Sequence, residues 1–203
     1  AWERQIRTVR DIMSALLHEA GGQLDDDALR TLMAEATNIM NSRPLTVDNI
    51  NDPNSLSPLT PNQLLTMRTS LVLPPTGQFQ RADLYCRKRW RRIQHLANVF
   101  WSRWRKEFLM QLQHRQKWQR SRRDFQIGDI VLLKEDDKPR GHWPIGRITE
   151  ITKESDGYVR KVKMQIGTSK LDKSGRRSES SLSELERPIH KLVLLLEKEN
   201  EDS

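Results

Sequence analysis

Thirteen of the chain's 35 basic residues fall between residues 87 and 123, where Glu107 is the only acid. That window carries +12 within a formal total of +8, so the rest of the 203-residue chain sums to −4. Cations crowded along one segment repel one another unless an anion neutralises them, and nucleic-acid phosphate is the commonest polyanion available. Arg89, Arg91, Arg92, Arg103, Arg105 and Lys106, with Arg122 and Arg123 at the far end, are the candidate phosphate contacts. Arg4, Arg7 and Arg10 form a second set, three residues apart near the start. In both places the alternative is a solvated helix face. Other chemistry has little support. The five histidines are scattered without metal-ligand spacing, and Cys86 alone builds neither a zinc site nor an intrachain disulfide. No glycine-rich phosphate loop and no Gly-x-Ser-x-Gly nucleophile setting occurs. On motifs alone the chain reads as a binding module, and its cysteine usage points to an intracellular protein.

These residues must be positioned by helices in the first half. Residues 2–20 place Ile6, Val9, Ile12, Met13, Leu16 and Leu17 at helical spacing, and Gly21-Gly22 stops the run. Asp25, Asp26 and Asp27 supply a cap and acidic first-turn charge for a second helix, predicted to end near Asn41 before Ser42-Arg43-Pro44. An irregular stretch to Pro61 precedes a short helix over 62–67. Across 84–123 no Pro or Gly intervenes, and Trp90, Ile93, Ala97, Phe100, Trp104, Phe108 and Leu112 recur every three or four residues. A helix of about 35 residues, roughly 50 Å long, is expected there. Its apolar stripe should pack while the arginines project; Trp101 and Trp118, off the stripe, are the aromatics expected to be free to stack on bases.

Beyond residue 123 the texture turns to β. Strands are predicted over 130–134, 143–152, 158–166 and up to Leu196, with a polar insertion over 170–183 and an acidic tail over 197–203. A hydrophobic content of 35% suits modest cores rather than one large globule. The expected class is α+β in three units: helices over 1–75, a basic helical linker over 76–123 and a small SH3-like or chromo-like β-barrel over 124–197, with 198–203 as tail. The longest apolar run, 192–196, is far too short to span a membrane. The chain opens at Ala1, inside what reads as a helix, so it is expected to be a piece of a longer polypeptide.

Several blocks resemble one known family. Trp2-Glu3-Arg4-Gln5-Ile6-Arg7 looks like the Trp-Glu-Arg motif that carries the last catalytic carboxylate of BEL/Pao retrotransposon integrases. Similar blocks follow at Ala34-Glu35-Ala36-Thr37-Asn38-Ile39-Met40-Asn41-Ser42-Arg43-Pro44-Leu45 and Leu59-Thr60-Pro61-Asn62-Gln63-Leu64-Leu65. Others are Arg89-Trp90-Arg91-Arg92-Ile93-Gln94-His95-Leu96-Ala97-Asn98-Val99-Phe100-Trp101, Pro139-Arg140-Gly141-His142-Trp143-Pro144-Ile145-Gly146-Arg147-Ile148 and Arg187-Pro188-Ile189-His190-Lys191-Leu192. The later blocks resemble a domain of uncharacterised function at the C-terminus of those integrases. The resemblance departs from the family at 170–183, where a tighter connection is expected.

What the resemblance implies is a truncated RNase H-like core, with Glu3 as the third member of an Asp-Asp-Glu set holding two Mg²⁺ or Mn²⁺ ions. Both aspartates would lie upstream of Ala1, so this chain by itself is not expected to be active or to need a cofactor. The expected function is that of a C-terminal integrase fragment binding DNA, with RNA as a second polyanion. Oligomerisation and nuclear location are expected of the full-length parent. A peptide- or chromatin-binding module is the rival, with Trp143 and Tyr158 lining a groove or methyl-lysine cage.

Overall fold

The computed structural model describes residues 2–21, 24–47, 56, 58–67, 75, 77–85, 88–119, 124–135, 138–153, 159–168 and 181–198, excluding the side chains of Trp2, residues 114–119, Thr168 and Ser181. The predicted Arg122 and Arg123, Tyr158, the Trp118 side chain and most of the 170–183 insertion lie outside that set. The chain divides into two compact units, one of Ala1–Ser42 with Pro74–Phe108, the other of Arg43–Leu73 with Leu109–Ser203.

The first unit is built from three helices: α1 (Trp2–Glu19), α2 (Asp26–Asn41) and the first five turns of α4 (Arg89–Gln119). Helix α1 buries Ile12, Met13 and Leu16, with Ala20 just past its end, while Glu3, Arg4, Arg7, Arg10 and His18 stay exposed; of the predicted stripe Val9 and Leu17 are half-buried and Ile6, in the first turns, is 39% exposed. It stops at Gly21, whose φ of +60° is reached without the steric cost a side chain would bring. Asp25 caps α2, its Oδ1 accepting the Ala28 backbone N–H at 2.9 Å, and Ala28, Leu32, Ala36 and Ile39 form the buried stripe. Helix α4 buries Ile93, Leu96, Ala97, Phe100 and Trp104. It begins at Arg89 rather than within a continuous run from 84, because Arg81–Tyr85 form a 3₁₀ turn ahead of it.

The second unit carries a two-residue ladder, β1 (Thr46–Val47) with β2 (Pro58–Leu59), and α3 (Pro61–Thr66). Thr60 and Gln63 cap α3 reciprocally, with Pro61 in its first turn. Its main element is an antiparallel sheet of β3 (Ile130–Leu133), β4 (Ile145–Lys153), β5 (Val159–Thr168), β6 (Ser181–Pro188) and β7 (Leu192–Leu196). The order is β6-β5-β4-β3-β7. The fold is therefore α+β as expected, but among the described residues the sheet does not close into the barrel that was predicted, since β6 and β7 remain edges.

The reason lies in the connection. A single 3₁₀ turn, Ile189–Lys191, joins β6 to β7 although they occupy opposite edges, so the sheet must curl sharply without its edges meeting in a ladder. Register shifts in β4 after Ile148 and Thr152 supply local bending. Val131, Leu133, Ile148, Val162, Met164 and Leu192 form the core on the concave side. Ser181–Ser183, read from sequence as the end of the insertion, belong to β6, and the free edge of that strand is blunted by Glu184, Glu186 and Pro188.

Candidate nucleic-acid interface

Most of the arginines of α4 are engaged with acids and carbonyls of the chain itself. Arg89 pairs with Asp25 and lies 3.7 Å from Asp27, tying the start of α4 to the cap of α2. Arg91 grips Asp83 through Nε at 2.7 Å, donates Nη2 to the Gln78 carbonyl at 3.2 Å and lies 5.6 Å above the Phe79 ring. Arg92 donates Nε to the Leu84 carbonyl at 2.8 Å, and Arg103 meets Glu19 of α1 at 3.2 Å. Arg105 is 5% exposed, its guanidinium 5.8 Å above the Trp101 ring. The acids behind the −4 of the remaining chain are, in part, the counter-ions of the stripe. Arg89, Arg91 and Arg103 remain 40 to 55% exposed at their side chains. Ion pairs that wet are weak, and a guanidinium has five donors, so a phosphate can still compete for them.

Arg4, Arg7, Arg10 and Lys106 differ. All four are exposed, and none makes an ion pair among the described residues. On α1 the three arginines project from the solvent side over about 9 Å of axis. A row of long cationic side chains with free donors suits a phosphate backbone. Glu3 stands on the same exposed side. Among the described residues no group of three or more His, Cys, Asp or Glu is placed to hold a metal. A single wet carboxylate does not by itself hold two Mg²⁺ ions.

The aromatics exchange the roles predicted for them. Trp101 is 5% exposed because the buried arc of α4 is wider than one stripe and takes in Gln94, Trp101 and Arg105. Trp90, read as part of the buried stripe, sits in the first turn of α4 and is 49% exposed. The Phe79 ring supports it edge-on at 5.3 Å and 80°. An open indole beside Lys88 and Arg89 is an arrangement that stacks on an unpaired base. Trp143 is 5% exposed, a packing residue rather than the wall of an open groove.

Sequence reasoning missed two buried aspartates. Asp83 accepts the Gln80 backbone N–H through Oδ2 at 2.7 Å while its own N–H donates to the Gln80 carbonyl at 2.9 Å. Asp129 repeats this turn with Gln126, at 2.8 and 3.2 Å. The signal was present: Phe79-Gln80-Arg81-Ala82-Asp83 and Phe125-Gln126-Ile127-Gly128-Asp129 share the pattern Phe-Gln-x-x-Asp.

Arg91's hydrogen bond, then that of the Gln80 N–H, hold the Asp83 carboxyl below the usual carboxylate range. A depressed folded-state value contributes stability above the unfolded pKa of about 4 and loses it as pH falls through the folded value. Acidification below the unfolded carboxylate value of about 4 should therefore progressively loosen the 77–85 segment. Asp83→Asn should flatten that part of the acid profile, followed by amide exchange in residues 77–85. A variant with an unchanged profile would exclude Asp83 as its source.

Among the described residues no helix is long and apolar enough to cross a membrane. Residues 88–195, from the start of α4 to β7, match a family model described as a family of unknown function (DUF5641). No curated protein and no solved structure matches the chain.

Proposed function

The chain belongs to that family of unknown function, DUF5641, and from this premise we propose that it is the C-terminal part of a BEL/Pao-type integrase whose own contribution is to bind nucleic acid through phosphates. The observation that carries the proposal is the exposed cationic set Arg4, Arg7 and Arg10 on α1, with Lys106 on α4, which makes no ion pair among the described residues. The Trp-Glu-Arg block at residues 2–4 and the blocks in 89–101, 139–148 and 187–192 support the integrase origin. In the parent, Glu3 would be the third carboxylate of a two-metal site for joining element cDNA to target DNA. Duplex DNA is the expected partner, RNA a second one, and nuclear location and oligomerisation belong to the parent.

Salt titration tests the proposal. Each neutralised phosphate releases counter-ions, so four contacts should lower duplex affinity roughly 150-fold between about 50 and about 200 mM salt, a log–log slope of about −3.6. Changing Arg4, Arg7, Arg10 and Lys106 together to alanine should remove most of that slope and leave the melting temperature close to the parent chain's. The proposal fails if the parent chain shows no salt-dependent binding to a fluorescent duplex, or if the quadruple variant keeps its slope.

A further inference from the structure

The stretch from Gly77 to Arg92, in the first unit, leaves two large aromatic side chains open: Tyr85 is 72% exposed and Trp90 49%. A lone exposed aromatic needs no explanation, since protein surfaces carry much apolar area. Trp90 is not alone. The Phe79 ring meets it nearly at right angles, with centroids 5.3 Å apart and planes at 80°. Phe79 in turn lies 5.6 Å from the Arg91 guanidinium above its face. Arg91 is fixed by the Asp83 carboxylate, 2.7 Å from its Nε, and by the Gln78 carbonyl at 3.2 Å. Asp83 is buried and also accepts the Gln80 N–H at 2.7 Å. Turn, ion pair and rings therefore form one series that ends on an open indole in the first turn of α4.

A side chain held in place before binding loses less freedom when a partner lies on it. A braced indole with half its surface in water suits a flat aromatic partner. The neighbouring cations say which one. Lys88, two residues before Trp90, and Arg81, two after Phe79, are exposed and make no ion pair among the described residues. The acids that meet this stretch, Asp83, Asp25 and Asp27, do so through Arg91 and Arg89. Cys86 and Arg87, outside the described residues, bring no further acid. A nucleotide base with a phosphate on either side answers both features, a ring for the ring and anions for the cations. Inside a duplex each base face is covered by its neighbour, so the base must be unpaired.

We propose that Trp90 stacks on an unpaired base of a nucleic-acid strand, with Lys88 and Arg81 meeting the phosphates that flank it. The proposal rests on the reading that this chain binds nucleic acid, and it adds the form of the ligand: a strand with unpaired nucleotides rather than a fully paired duplex. It uses none of Arg4, Arg7, Arg10 and Lys106.

The whole chain should bind a duplex carrying a short single-stranded overhang about tenfold more tightly than the same duplex made blunt, the worth of one base stacked on an aromatic ring. An abasic overhang of equal length keeps the phosphates and lacks the bases, and it should lose most of that gain. A single strand set against its abasic twin gives the same comparison without any duplex. Trp90→Leu keeps an apolar contact for Phe79 but offers no aromatic face. It should abolish the gain while leaving blunt-duplex affinity and melting temperature unchanged, whereas Trp90→Phe should retain part of the gain. The overhang should also quench a share of the tryptophan emission that Trp90→Leu lacks. Changing Arg4, Arg7, Arg10 and Lys106 to alanine should weaken both duplexes and leave their ratio untouched, so the two proposals fail separately. Equal binding of the blunt and overhang duplexes overturns the inference, as does a gain that survives in Trp90→Leu or with the abasic overhang. A trimethyl-lysine peptide that displaces the overhang from the parent chain and not from Trp90→Leu assigns the indole to a peptide, and overturns it too.

Discussion

Asp129→Ala is expected to destabilise the second unit by about 3 kcal/mol, because it leaves two backbone donors without acceptors and each unmet donor costs about 1 to 3 kcal/mol. The side chain is fully buried. Its Oδ2 accepts the Gln126 N–H at 2.8 Å and its Oδ1 the Lys198 N–H at 3.1 Å, so one carboxylate joins the entry of β3 to the exit of β7. Its backbone carbonyl accepts the Ile148 N–H at 3.0 Å, which adds β4. Gly128 makes the approach possible, since its φ of +96° is a backbone conformation that a side chain would strain. Asp129→Asn keeps one oxygen and should lose about half as much. Two units need not unfold together, so the measurement is amide exchange of β3 and β7 in urea. Protection in Asp129→Ala within about 0.5 kcal/mol of the parent chain would show that the carboxylate does not close the sheet's edge.

The larger loss is expected at Phe100, where truncation to alanine should remove about 3 to 5 kcal/mol from the first unit. Phe100 is fully buried on α4, one turn before the equally buried Trp104, which stacks on Phe108 at 6.1 Å and 25°. No water-filled relaxation is available to an apolar void of that kind, so the transfer and cavity costs add. Phe100→Leu keeps most of the volume and should cost less than about 1.5 kcal/mol. The functional consequence follows from packing. Helix α1 is tied to α4 through Glu19 and Arg103, so Phe100→Ala should weaken duplex binding at temperatures where α1 has come loose and spare it where the unit is folded. A denaturation midpoint for α1 and α2 amides unchanged in Phe100→Ala would mean that α4 does not organise the unit.

Much of the architecture was legible. The stripe Ile12, Met13, Leu16 of α1, the Asp25 cap of α2 and the apolar run of β3 all reside within a few neighbouring residues. Those neighbours alone decide which turn hydrogen bonds close and which face turns inward. The basic window was legible as charge, and so was its place on a helix.

The fate of individual side chains was not. Arg103 and Glu19 are 84 positions apart, and Gln94 meets Glu35 across 59. Nothing local marks Arg91 as a structural clamp and Arg7 as a solvent-facing cation, because both are arginines on helices. Trp90 and Trp101 exchanged roles because burial on α4 depends on how many elements surround each turn, which helical spacing does not encode. Barrel or open sheet was equally undecided, since short strands alternate alike in both. Sequence by itself determined the helices, the strands and a concentrated positive charge, all set by interactions between near neighbours. Only the tertiary structure decided which cations are spent on acids of the chain and which still face solvent, because an ion pair forms wherever packing brings two charges together, however far apart they lie along the chain.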